Sequence, residues 1–208
     1  MTLIGKQLVD AVLASQEWAQ ASQWGEPRPG HPEGTVGRHV EEQVRVFVDR
    51  WFKDEPDYWD LVALAYLHDI GKPQTQHAND RLVGDSHSVI SARIAAALGA
   101  SDRLVQVILS NDRAYSHWRK LLDKSGRWSS ERWTSDRREK FRAEFGRPGL
   151  DLELLVLFHR ADNGYRRPDK LDESVDPTLW FENCLLAEGL LAALPDAGRD
   201  QRLLWKRA

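Results

Sequence analysis

Apolar residues recur at intervals of three and four along nearly all of this chain, while strict alternation of apolar and polar residues is almost missing. Only an α-helix gathers positions i, i+3, i+4 and i+7 on one face, so the pattern confines the chain to an all-α fold. With 208 residues and 41% hydrophobic content it can bury one substantial core, and a single domain over 1–208 is the expectation. A formal net charge of −3 excludes a protein that coats nucleic acid through its overall charge. Cys184 is the only cysteine. It excludes a disulfide framework, a Cys-based zinc site and a paired redox motif, and it fits a reducing compartment. Lys6 and Asp10 interrupt the N-terminal apolar run, and no stretch reaches membrane-spanning length. A soluble cytoplasmic protein with no membrane partner is expected.

The periodicity places the elements. Leu8, Val9, Val12 and Leu13 mark a first helix, followed by the breaker-rich loop GEPRPGHPEG at 25–34. Thr35 is the N-cap expected for a second helix, in which Val36, His39, Val40, Gln43 and Phe47 share an inward face. Asp57 is placed to cap a third, whose Leu61, Val62, Leu64, Ala65 and Leu67 are apolar nearly all round, as in a helix at the centre of a bundle. His68 and Asp69 form its last turn within LVALAYLHDIGKP. Gly71 is expected to be left-handed there, and Pro73 to block continuation. Asp85 or Ser86 opens a fourth helix carrying His87, Ile90, Ile94 and Leu98 to Gly99, and Ser101 starts another through Leu104, Val105 and Ile108 to Asn111.

A polar region follows at 112–147, with eleven Lys or Arg against six Asp or Glu and three tryptophans, Trp118, Trp128 and Trp133. It reads as a helical insertion or lid whose charge and rings suit a nucleotide or single-stranded RNA, or equally as an exposed helix pair with its tryptophans turned inward. Leu152, Leu155, Val156 and His159 define a late helix that carries Asp162 near its end. A last helix is expected at 178–194, stopped by Pro195, before a polar tail relieved only by Leu203, Leu204 and Trp205.

A divalent metal needs donors that converge from separate elements. His39, the pair His68 and Asp69, and Asp162 are far enough apart in sequence to sit on three helices, and a bundle can gather them around one ion. His159 is read as a packing residue, and His31, His77 and His117 as surface residues.

The order His, His-Asp, Asp, with GRHV around His39, LHDIGKP around His68, GDSHSVISA around His87 and HRADNGY around Asp162, resembles the HD superfamily of metal-dependent phosphohydrolases. The resemblance runs over about 35–165, and the GKP continuation is similar to that of HD domains attached to tRNA nucleotidyltransferases. It implies a helical HD bundle with His39, His68, Asp69 and Asp162 as metal ligands. Lys72 would bind a phosphoryl oxygen, and Asp69 and His87 would take part in catalysis. Family members with two metals place a further histidine where this chain has Asn111 and Asp112. One tightly held ion is therefore favoured, with His87, Asn111 and Asp112 left to a weaker second ion or to substrate.

The implied reaction is hydrolysis of a phosphomonoester or phosphodiester, of a nucleotide, another phosphorylated small molecule or an RNA end, by metal-activated water. Imidazole and carboxylate donors suit Mn, Fe, Co, Ni, Zn or Mg. A regulatory module that binds nucleotide or RNA around a structural metal is the alternative. A di-iron oxygenase is disfavoured by Asn111. The sequence leaves the oligomeric state open.

Overall fold

The computed structural model describes residues 2–27, 32–75, 86–163 and 173–198. Among them every regular element is helical, apart from an isolated bridge between Leu122 and Trp128. No described helix is long and apolar enough to cross a membrane. His31, His77, Asp85 and the tail residues Leu203, Leu204 and Trp205 lie outside the described residues.

Helix α5 (Tyr58–Leu67) forms the centre, with every side chain from Leu61 to Leu67 buried. Asp57 stands at its N-cap but makes no capping hydrogen bond. A cap contributes about 1 kcal/mol, whereas each buried Leu or Val contributes roughly 1.5–3 kcal/mol, so packing holds this helix. Helix α1 (Lys6–Leu13) lies on α5 through Leu8, Val9 and Val12, and α2 (Gln16–Ser22) follows, capped by Ser15.

The second predicted helix is three joined pieces: α3 (Val36–His39), a π-helical stretch (Val40–Val44) and α4 (Arg45–Trp51). Thr35 caps it as expected, its hydroxyl accepting from the Arg38 amide at 3.2 Å. The π stretch begins one residue after His39, and such stretches are frequent at functional sites.

Beyond α5 the chain departs from expectation. Gly71 is not left-handed. A Cβ there would lie 2.6 Å from the Ser91 nitrogen and 2.7 Å from the His87 oxygen, so glycine is needed because α7 (His87–Ala97) passes against it. The Gly71 amide donates to Ser91 Oγ at 2.9 Å, fixing that approach. Pro73 does not end a helix either: it sits in the first turn of α6 (Lys72–Thr75), where its missing N–H costs nothing.

Helix α8 (Asp102–Arg119) also runs past Asn111, so Asp112 to Arg119 belong to it and not to a separate polar insertion. Ala114, His117 and Trp118 continue its buried face. His117, expected at the surface, is 5% exposed and lies 2.8 Å from Glu144 Oε2 on α9 (Ser135–Phe145). That contact holds the Glu144 carboxyl below its ordinary range. Trp128 and Trp133 pack against the core, Trp133 edge-on to Phe141 and Trp180.

Helix α10 (Leu152–Asn163) lies against α5 and α8, and α11 (Pro177–Ala187) against α8. The last helix stops at Ala187, not at Pro195: Gly189 is left-handed (φ 68°) and the Leu190 amide returns to the Leu185 carbonyl at 2.9 Å. At the opposite end of the bundle from His68, Arg103 of α8 binds Asp57 and Asp60 at the start of α5 and Asp151 before α10, at 2.8, 2.7 and 2.8 Å. Helices α5 and α10 thus leave one ionic clasp and end at one site.

Candidate metal centre

Each candidate donor is set by its helix. His68 is the C-cap of α5, and its Nδ1 lies 3.0 Å from the Ala65 carbonyl oxygen. A carbonyl can only accept, so Nδ1 carries a proton and Nε2 is the ring nitrogen turned outward. Phe158 packs edge-on at 5.3 Å and keeps the ring from turning. The buried Nε2 has no hydrogen-bond partner, yet it faces two carboxylates, Asp69 Oδ2 at 3.3 Å and Asp162 Oδ1 at 3.5 Å. A ring nitrogen set between two anions draws positive charge to that point: a proton on Nε2 when no metal is bound, or an ion in its place.

His39 meets the same oxygen from α3, with Nε2 3.1 Å from Asp162 Oδ1. Donor atoms of His39, His68 and Asp69 all lie within 4.8 Å of one another. Atoms each about 2.0–2.2 Å from one ion are about 3–4 Å apart, so small adjustments let this set close on a divalent cation. Mixed imidazole and carboxylate donors match such an ion in softness as well. The sequence-derived ligands His39, His68, Asp69 and Asp162 are therefore brought together.

The electrostatics report the same demand. Burial alone would lower the His68 pKa, but Asp69 and then Asp162 hold it up at about 9. Burial works to raise the Asp69 and Asp162 pKa values, yet His68, with Lys72 for Asp69 and His39 for Asp162, keeps both carboxylates below their ordinary range. The Lys72 ammonium donates to Asp69 Oδ2, which raises its pKa against the cost of burial.

His87 stands at the rim, its Nε2 2.7 Å from Asp112 Oδ2 and 3.6 Å from Asp69 Oδ1. Burial would lower its pKa, and the bond to Asp112 raises it. Asn111 donates from Nδ2 to Asp162 Oδ2 at 2.9 Å, while its own Oδ1 is buried without a partner.

Two residues that the sequence does not single out complete the arrangement. The His39 Nδ1 edge faces Gln43 Oε1 at 3.1 Å and the buried Glu33 Oε1 at 3.4 Å. Acceptors on that edge favour a proton on Nδ1, the tautomer in which Nε2, the nitrogen facing Asp162, can ligate a metal. Gln43 shares His39's helical face and is legible by spacing, whereas Glu33 sits in a loop of glycines and prolines that reads as solvent-facing.

No curated protein and no solved structure matches the chain, and no match singles out the GKP-bearing HD domains of tRNA nucleotidyltransferases. The family model described as HD domain does match, over residues 38–175. That span is more than half of the chain and contains all four candidate ligands. By that match and this fold, the chain belongs to the HD domain family.

Proposed function

We propose that this protein is a metal-dependent phosphohydrolase that cleaves a phosphomonoester or phosphodiester bond in a nucleotide. HD domains generally are metal-dependent hydrolases. The observation that carries the reading here is the buried, unpartnered Nε2 of His68 between Asp69 and Asp162. His39, His68, Asp69 and Asp162 would hold one divalent ion. Such an ion supplies Lewis-acid chemistry, acidifying water and offsetting phosphate charge. Lys72 binds a phosphoryl oxygen, and His87, oriented by Asp112, holds a proton for the leaving oxygen. Asn111 steadies Asp162, a role that supports one tightly held ion, with a second at His87 and Asp112 as the weaker alternative. Trp128 and Trp133 pack against the core, which takes those two rings from the surface that an RNA strand would stack on and favours a nucleotide-sized ester.

Metal analysis of the purified protein, followed by assay on an aryl phosphate and on cyclic and linear nucleotides, tests this. Turnover is expected with Mn, Fe, Co, Ni, Zn or Mg, and is abolished in Asp69→Ala while the helical circular dichroism is kept. Metal bound without turnover of any ester would favour the regulatory nucleotide-binding module instead.

A further inference from the structure

Two spaces open off the centre, and their sizes assign them different occupants. One, walled by Trp24, Glu33, Thr35, His39, Asp69 and Lys72, is about 10 Å³, room for a single water. The other, about 340 Å³, lies between the start of α7 and the middle of α8, with His87 and Asp112 as its inner wall. That volume falls in the range of small-molecule pockets, about 300–1,000 Å³. Of these two spaces, only the larger can take the rest of a molecule whose phosphoryl group lies beside Lys72 and His87.

The wall chemistry is that of a sugar followed by a flat ring. Ser86, Ser88 and Ser116 present hydroxyls, those of Ser86 and Ser88 2.9 Å apart. Tyr115 follows one turn beyond Asp112, about 4.5 Å further along the helix. The residue is 37% exposed, and its ring lies stacked on Trp118, with centroids 5.7 Å apart and planes inclined at 28°. The Trp118 indole N–H donates to the Glu173 carbonyl at 2.7 Å, so Tyr115 rests on a fixed support.

We propose that this hollow is the leaving-group subsite and that Tyr115 is a specificity-determining residue: it stacks the base of a nucleoside monophosphate whose sugar meets the serines. The proposal takes the position of the phosphate from the hydrolase reading above. In the reaction, water adds its oxygen to phosphorus and the P–O bond to the sugar breaks. The nucleoside leaves as its alcohol after gaining a proton, and inorganic phosphate remains.

Adenosine 5′-monophosphate and ribose 5-phosphate share sugar and phosphate and differ by the base. Calorimetric binding of both to the metal-loaded protein, with hydrolysis of both measured in parallel, tests the assignment. Wild type is expected to bind the nucleotide about 5- to 100-fold more tightly, as one stacked base allows. Tyr115→Ala should erase that preference and leave ribose 5-phosphate binding unchanged, and Tyr115→Phe should retain it. Equal binding of the two probes by wild type, or equal weakening of both in Tyr115→Ala, overturns the proposal. A base preference without hydrolysis upholds the subsite and removes the hydrolase reading. Hydrolysis of both probes without preference does the reverse.

Discussion

Glu33 and Gln43 line the Nδ1 edge of His39, away from the donor atoms of the centre, yet they favour the tautomer in which Nε2 can ligate a metal. Gln43 supplies an acceptor, and Glu33 adds a buried negative charge 3.4 Å from Nδ1. Glu33→Gln keeps the shape and removes the charge, making the imidazole a poorer donor. Cobalt affinity, measured by chelator competition, is expected to fall by about tenfold, the lower end for a partner behind a ligand because Gln43 remains. Unchanged affinity would reduce Glu33 to a packing role. At this scale the sequence reveals residues whose chemistry is unusual for their surroundings. His68 and Asp69 stand out because they end an apolar helix, and His39 and Asp162 because they interrupt inward faces. Glu33 and Tyr115 do not stand out, since a loop carboxylate and a tyrosine on a polar stretch both read as solvated. Burial in the first case and a supporting indole in the second arise from residues distant in sequence.

Among the elements, the pairing of α6 and α7 around Gly71 places His87 beside Asp69. The obstacle to a larger side chain is backbone, the Ser91 nitrogen and His87 oxygen, which cannot rotate away. Gly71→Ala should therefore displace the start of α7 and cost about 1–3 kcal/mol, as overpacking does. Urea unfolding reads the stability, and turnover should fall with it because His87 moves. A fall in stability with turnover intact would mean that α7 absorbs the shift without moving His87. Helix identities were legible because apolar spacing survives in most of them. Their ends were less so. Polar residues dominate the exposed side of α8 after Asn111 and mask the Asn111, Ala114 and Trp118 stripe that continues its buried face. Gly71 and Pro73 carry ordinary helix-stop chemistry, but here one meets a neighbouring helix and the other opens α6.

The molecule as a whole is tied together where its donors meet, since they come from α3, the end of α5 and α10. An ion that binds only the folded chain stabilises it by about 2.7 kcal/mol at a hundred times its dissociation constant. For a chain of this size that corresponds to a rise in Tm of about 5–10 °C. Calorimetry with added Mn2+ or Co2+, reversed by EDTA and absent in Asp162→Ala, checks it; an equal rise in that variant would place the ion elsewhere. The Arg103 clasp at the far end has a different weakness. Arg103 is about one-third exposed, so concentrated salt screens its three aspartates while leaving the enclosed donors nearly untouched. Chelator and salt thus attack the bundle from opposite ends, and because those ends share no partners their destabilisations should sum.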